Sequence, residues 1–492
     1  MRTRVLLLFA AALALTPAAA QQVRYLDPRD VAQAQQENAA VIEELGGAET
    51  GPRAAYVASV GRRVAAYSGL ANPGQALHFT TLNSAVENAF SVPGGYVYIT
   101  RQLMTLMGDE SQLAFALGHE VGHIAANHAH QREEVERELA REALPYVLMG
   151  QMMGGIANQI AVRNLLAAKL QTLSFSREQE YEADTLGLRY MIDAGYDPAG
   201  AAQLLAALAR QTALQARVQG RTNRGIPEWA STHPLSENRM RRALDEAQQT
   251  GRLGTGIHNR DTFLSELEGI YVDDDPAQGV IDGPVFTHPD LRIQFRVPTG
   301  YLMSNGTYAV TISGSAGKAQ FSGGRYTGSL DDYILRVFRQ VTRGSGVTVP
   351  RPRRTTINGL PAEFTTARVN TNSGVVDVSV VAYQWDAQHA YDFVMLTPGG
   401  TGIGAFAPMV NSLRKISREE AAAIRPRVIH VVTVAPGDTV QSLADRMAYH
   451  DFKLERFLAL NGLTAATRLV PGQKLKLVVY GPRRALPAAA AT

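Results

Sequence analysis

The 492-residue chain contains no cysteine. That excludes a disulfide framework, and it excludes a lipidated cysteine behind an export signal. Stability must come from hydrophobic cores, and the length suffices for about three domains. A strong excess of one charge is also missing. The formal net charge is +3, and loss of Arg2 and Arg4 with a leader would lower it to +1. Nothing in that balance predicts a nucleic-acid partner. Long apolar runs are scarce too. The run Val5–Leu15 follows Arg2 and Arg4, is too short to span a bilayer and ends in Thr16-Pro17-Ala18-Ala19-Ala20. It predicts a secretory signal at residues 1–20, cut after Ala20. Residues 143–162 carry no charge and include Leu148, Met149, Met152, Met153 and Ile156. Pro145, Gln151, Asn158, Gln159 and the glycines argue against a transmembrane helix there. An adaptable Met-rich lid or docking surface and a packed helix hairpin both fit this stretch.

What is present centres on Gly118-His119-Glu120-Val121-Gly122-His123. On a helix, residues four apart share a face, so His119 and His123 can offer two imidazoles to one metal ion. Glu120 follows the first of them and can act as a carboxylate base beside the metal, the pattern of zinc proteases. Asp109 and Gln112 fit a capping-box start, and Leu113, Ala116, Leu117, Val121 and Ile124 supply an apolar stripe at helical spacing. A plain helix with exposed histidines is the bland alternative. Downstream, Ser176 is a plausible cap for a second helix in which Glu180 and Asp184 share a face. Catalytic zinc takes three protein ligands and keeps a fourth position open. Glu180 can be the third ligand, and Asp184 can accept the free ring N–H of His119.

With these residues in view, the chain resembles the HtpX/BepA/LoiP-like zinc metallopeptidases, relatives of the CAAX prenyl proteases. Four blocks carry the likeness over about residues 30–250: Asn88-Ala89-Phe90-Ser91-Val92-Pro93-Gly94-Gly95, the H-E-x-x-H helix, Glu180 with Asp184, and Thr232-His233-Pro234 with Arg239. The resemblance implies one Zn²⁺ per chain and a mainly α, zincin-like (minigluzincin) domain with a small sheet over residues 21–255. It implies that the strand at Asn88, Phe90, Pro93 and Gly94 is a sheet edge beside the metal, to which a peptide could add as an extra strand. A plain core strand is the other reading. Glu120, Asp184 and Arg239 are the expected catalytic residues. His233 or Arg239 could donate to a developing oxyanion. In the BepA-like relatives the histidine matching His233 can instead take the open zinc position, which would make it a switch.

Residues 256–283, with Asp273-Asp274-Asp275-Pro276, read as a linker. The texture then changes to strands: Leu291, Ile293, Phe295 and Val297 alternate, as do Val376, Val378 and Val380, then Tyr391, Phe393 and Met395. Helices carrying Tyr333, Ile334, Val337 and Phe338, and Phe406, Met409, Val410 and Leu413, interrupt them. An α+β domain at 284–418 is expected, resembling the PsbP/Mog1-like fold. Residues 429–480 show a β-α-α-β pattern that resembles a LysM module. The resemblance implies binding of peptidoglycan glycan strands, with Gly437, Asp438, Thr439, Asn461 and Leu463 lining the sugar groove. The Ala-rich end, 481–492, is expected to be a disordered tail. Together these resemblances imply a multidomain periplasmic zinc endopeptidase anchored to the wall. It would degrade misfolded or stalled envelope proteins, with the outer-membrane assembly machinery as a further partner. A chaperone or scaffold with a normally shut protease site, and a peptidoglycan stem-peptide hydrolase, are the alternatives.

Overall fold

The computed structural model describes residues 23–131, 175–218, 233, 237–341, 347–371 and 374–482. The expected leader, the uncharged stretch 143–162 and residues 483–492 of the expected C-terminal tail fall outside these residues. Among the described residues no helix is long and apolar enough to cross a membrane.

The helix expected around the H-E-x-x-H motif is α4 (Glu110–Ala125). The Asp109 carboxylate caps it by accepting from the Ser111 and Gln112 amides. The Gln112 side chain reaches back to the Gly108 amide, one residue short of a capping box. Every residue from Glu110 to His123 is buried, so α4 is a core helix and not an exposed one. Around it lie α1 (Pro28–Glu44), α2 (Pro52–Ala65), α3 (Arg101–Leu106), α5 (Arg177–Asp193), α6 (Ala199–Val218), α7 (Glu237–Gln249) and α8 (Arg260–Leu267). The break between α1 and α2 falls at Gly46-Gly47, and Pro52 opens α2.

A three-stranded sheet covers one side of α4. Its order is β1 (His78–Leu82), β3 (Tyr96–Thr100), β2 (Ala89–Val92), with β1 parallel and β2 antiparallel to β3. Strand β2 is therefore an edge. The Pro93-Gly94-Gly95 turn needs its glycines. Both have φ above +90°, and a Cβ on Gly95 would lie 2.1 Å from the Ala76 carbonyl oxygen. Phe90 faces away from α4 and stacks on Tyr98 at 4.8 Å.

The stretch 256–283, expected as a linker, is instead part of the core. Phe263, Leu264, Leu267 and Ile270 on and after α8 are fully buried with the peptidase-side residues. The cause is Arg101, which is itself fully buried. Its guanidinium donates to the carbonyls of Tyr271 and Asp273, at 2.9 and 2.7 Å, and to the Asn83 side chain at 2.7 Å. A buried guanidinium must be paired; two backbone carbonyls and Asn83 take its hydrogen bonds, and the nearby carboxylates of Asp273, Asp274 and Asp275 favour its charge.

Beyond it, seven antiparallel strands between Leu302 and Pro398 form one sheet. The helix Leu330–Val341 packs on one face through Tyr333, Ile334, Val337 and Phe338. A four-stranded sheet and the helix Ala407–Ser412 pack on the other, with Phe295, Phe393, Met395, Phe406 and Met409 between. The alternations seen in the sequence face these two cores, except Leu291, which is exposed and precedes its strand.

The C-terminal unit has the expected β-α-α-β order: β5 (Arg427–Thr433), α9 (Val440–Ala444), α10 (Lys453–Asn461) and β6 (Lys474–Tyr480). It is not a loosely appended bead. Strand β5 also pairs with β4 (Tyr271–Val272), and Val432, Leu443, Phe457 and Leu477 share one hydrophobic cluster with α2, α4 and α8.

Candidate metal centre

Helices α4 and α5 meet at small residues. A Cβ on Gly187 would lie 2.7 Å from the His119 amide nitrogen, and one on Gly122 would lie 3.2 Å from the Ala183 carbonyl oxygen. This contact lets α5, started by a complete Ser176–Gln179 capping box, bring Glu180 and Asp184 against α4. Glu180 is fully buried and Asp184 nearly so.

The side chains of His119, His123, Glu180 and His233 converge. His119 Nε2 and His123 Nε2 are 3.0 Å apart, and His123 Nε2 lies 3.4 Å from Glu180 Oε1. His119 Nε2 lies 3.6 Å from Glu180 Oε2. His233 Nδ1 is 3.3 Å from His119 Nε2 and 2.9 Å from Glu180 Oε1. Four donors held by one tetrahedral zinc at about 2.0–2.1 Å would stand roughly 3.3–3.4 Å apart. The observed spacings bracket that value, and two imidazoles with a carboxylate are a zinc donor set. The residues present therefore fit zinc. Burial keeps the pKa of His123 well below its ordinary value, so its ring is neutral, as a ligand must be.

Asp184 lies 3.0 Å from His119 Nδ1, as expected of a group that orients this ligand. Arg239 does not fit the role of oxyanion donor. Its Nε and Nη2 each donate to Asp184 at 2.7 Å, and its Nη1 lies 2.5 Å from Glu180 Oε2. A planar fork matched to two carboxylates is committed to them. Burial disfavours charge on Asp184, but the Arg239 guanidinium and the His119 ring outweigh it and lower its pKa. Arg239 is thus a clamp on the two carboxylates.

Glu120 accepts a hydrogen bond from Ser91 Oγ at 3.0 Å, and His233 Nε2 is 3.5 Å from its other oxygen. Asn88 lines a small apolar pocket of about 50 Å³ with Phe115, His119, Glu120 and Leu208. Pro93 and Gly94 border a separate cleft of about 820 Å³ that reaches His123 and Phe175. The edge strand β2 runs between the two, whereas Phe90 belongs to the core. Sequence reasoning missed Ser91, His128 and Phe175. Phe175 stacks on the His123 ring at 3.9 Å, and His128 Nδ1 lies 2.9 Å from His123 Nδ1. For His128 the only signal was a third histidine five residues past the motif.

Residues 52–247 match the model of Peptidase family M48, and residues 432–478 match that of the LysM domain. The chain carries an M48 peptidase domain. The beta-barrel assembly-enhancing protease of Escherichia coli (strain K12) is 31% identical to it over 199 residues, 39% of each chain. The mitochondrial metalloendopeptidase OMA1 of Schizosaccharomyces pombe is 30% identical over 223 residues, 45% of this chain and 61% of that one. OMA1 of Saccharomyces cerevisiae is 28% identical over 167 residues, 33% and 44%. The chain therefore spans less than two thirds of the length of these relatives. The M48 domain supplies the metal-site helices α4 and α5, while the LysM domain packs against α3 and α6 at some remove from the site.

Of the expected groove residues, Gly437 and Thr439 lie in an exposed loop, and Asp438 accepts the Ala435 amide at 2.8 Å. Asn461 is half-buried. Its amide nitrogen donates to the carbonyls of Phe457 and Lys476, and its oxygen accepts the Lys476 amide, so its polar atoms are all used within the LysM scaffold. Leu463 packs against the hydrophobic core.

Proposed function

We propose that this protein is a zinc-dependent endopeptidase of the bacterial cell envelope, exported to the periplasm by its cleaved leader. It acts on unfolded or misassembled envelope proteins. The observation that carries the reading is the buried convergence of His119, His123 and Glu180 at zinc spacing, with Glu120 beside them. Bound there, zinc would polarise the scissile carbonyl and lower the pKa of a water towards about 7. Glu120 takes the proton of the attacking water and delivers it to the leaving amine. Ser91 orients the Glu120 carboxylate by donating to one oxygen. Asp184 holds the His119 ring, and Arg239 holds Asp184 and Glu180. The free edge of β2 offers backbone hydrogen bonds to an extended chain, which fixes register without demanding a sequence. That suits unfolded substrates.

The similarity to the beta-barrel assembly-enhancing protease supports outer-membrane proteins as substrates and their assembly machinery as a partner. The LysM domain supports binding to peptidoglycan glycan strands through the exposed Gly437–Thr439 loop. His233, standing as a fourth donor, supports a second feature: a site that is shut until this residue withdraws. The test of the main reading is Glu120→Gln. It should retain one zinc per chain and lose cleavage of an unfolded protein such as reduced casein. Undiminished cleavage by that variant would reject the mechanism.

A further inference from the structure

We propose that His128 is a positioning residue of the metal centre, which fixes the ring proton of His123 on Nδ1 and so presents the Nε2 lone pair to zinc. The proposal rests on the reading of His119, His123 and Glu180 as ligands.

His123 faces the other ligands with Nε2, which lies 3.0 Å from His119 Nε2 and 3.4 Å from Glu180 Oε1. A ligating Nε2 must be unprotonated, so the proton of the neutral ring sits on Nδ1. That Nδ1 is aimed at His128 Nδ1 at 2.9 Å. His128 Nδ1 must then accept, which puts the His128 proton on Nε2. His128 Nε2 faces Glu182 Oε2 at 3.3 Å. The sequence of donors is thus His123 to His128 to Glu182. In the reverse direction, with His128 Nδ1 donating, His123 would carry its proton on Nε2 and could not ligate.

The other histidine ligand is held differently. His119 Nδ1 meets the Asp184 carboxylate, which Arg239 grips with two hydrogen bonds. His123 meets a neutral ring, and the carboxylate stands one group further out. Phe175 stacked on His123 fixes the plane of the ring but allows it to be turned over within that plane. The hydrogen bond to His128 is what chooses between the two orientations.

His128 reaches this place because the helix has ended. Residues five apart do not share a helix face. Asn127 has a φ of +58°, a left-handed conformation that asparagine tolerates, and it breaks the helical path just after α4. Gln179 on α5 then donates to the His128 carbonyl at 3.3 Å. His128 is fully buried, so water cannot replace its ring nitrogen as acceptor.

The test uses the full chain and measures zinc affinity by competition with a chelator, with visible spectra of the Co²⁺-loaded protein. Three variants discriminate: His128→Leu, His128→Asn and His128→Gln. An asparagine oxygen falls near the site of Nδ1 and can still accept from His123, whereas a glutamine oxygen falls near the site of Nε2. Zinc affinity should fall about 10–100-fold in the leucine and glutamine variants. The asparagine variant should recover most of it, with Co²⁺ bands like those of the wild type. Glu182→Ala should cost less than His128→Leu, because the Glu182 side chain is 59% exposed and water can stand in for it. Melting of the metal-free proteins checks folding. If the leucine variant does not fold, the asparagine and glutamine pair decides. Wild-type affinity in the leucine variant, or an asparagine variant as weak as the glutamine one, would overturn the positioning role alone. A wild-type protein that takes up no zinc would overturn the metal centre, and the role of His128 with it.

Discussion

Lys476 Nζ donates to the Met107 carbonyl at 2.6 Å, joining the last strand of the LysM domain to the chain just before the H-E-x-x-H helix. The same amine donates to the Thr105 carbonyl at 2.6 Å. Nearby, Arg260 bridges the carbonyls of Gly108 and Lys474. The C-terminal end of α3 and the turn into α4 thus lean on the C-terminal domain. Burial pushes the Lys476 amine well below its ordinary pKa. A lysine there is kept for its hydrogen bonds to backbone oxygens that are out of reach of water.

This arrangement makes truncation costly. Lys476→Met should lower stability by about 1–3 kcal/mol, since two buried carbonyls lose their donor. Deleting the chain from about residue 425 should lower the melting temperature of the peptidase part far more, because β4 loses its partner and the shared cluster opens. A truncated protein that melts like the full chain and keeps its proteolysis would show the two domains to be independent.

Arg239 should matter first for stability. Arg239→Ala leaves the Asp184 and Glu180 carboxylates buried without their cation, which costs about 3–5 kcal/mol. Arg239→Lys should recover little, because an ammonium cannot match the two-pronged contact with Asp184. Urea melts of the metal-free protein and zinc titrations report both effects. Normal stability with slowed turnover would restore Arg239 as a donor to the reacting carbonyl.

The parts of the site that the sequence reveals are those set by local geometry. His119 and His123 are one helical turn apart, and so are Glu180 and Asp184, so each pair could be placed on a face. What could not be read is how helices meet. Gly187 is an ordinary helix glycine in sequence, yet its missing side chain permits the approach of α5 to His119. The acidic run at Asp273 reads as a polar break because Arg101, which bonds the Asp273 carbonyl and lies near its carboxylates, is far upstream and meets the run only in the folded chain. The LysM module is a local pattern and could be read. Its docking depends on Lys476 meeting a helix terminus some 370 residues away, which no window of sequence contains.

Asp274 gives a pH signature. Burial, reinforced by Asp273, pushes its carboxyl up to about 6 from an ordinary 3.8, although the Ile281 amide and Asn305 donate to it. A raised carboxylate pKa means that the folded protein holds the proton more tightly than the unfolded chain. Its contribution to stability therefore falls as pH rises from about 4 to about 6, and the cost of the buried charge persists above that. A shift of this size corresponds to about 3 kcal/mol. Asp274→Asn cannot ionise. Its melting temperature, relative to the wild type, should rise between pH 4 and pH 7. A constant difference across that range would show that Asp274 does not titrate in the folded protein.

His233 bears on whether the centre is open for substrate. Its Nδ1 stands 3.3 Å from His119 Nε2, and its Nε2 stands 3.5 Å from Glu120. One ring therefore occupies the fourth donor position and faces the general base as well. A substrate carbonyl must enter that same space, so the arrangement is compatible with zinc binding and incompatible with turnover. In the proposed switch, catalysis requires His233 to withdraw, and the cost of withdrawal sets the fraction of open enzyme. His233→Ala removes that cost. It should keep one zinc per chain through His119, His123 and Glu180, and it should cleave unfolded protein roughly several-fold faster. Were His233 instead a donor to the reacting carbonyl, its loss would cost about 3 kcal/mol of barrier and slow turnover by two orders of magnitude. The two outcomes have opposite sign, so a single comparison of zinc content and casein cleavage separates them. Slower turnover with a full complement of zinc would end the case for a switch.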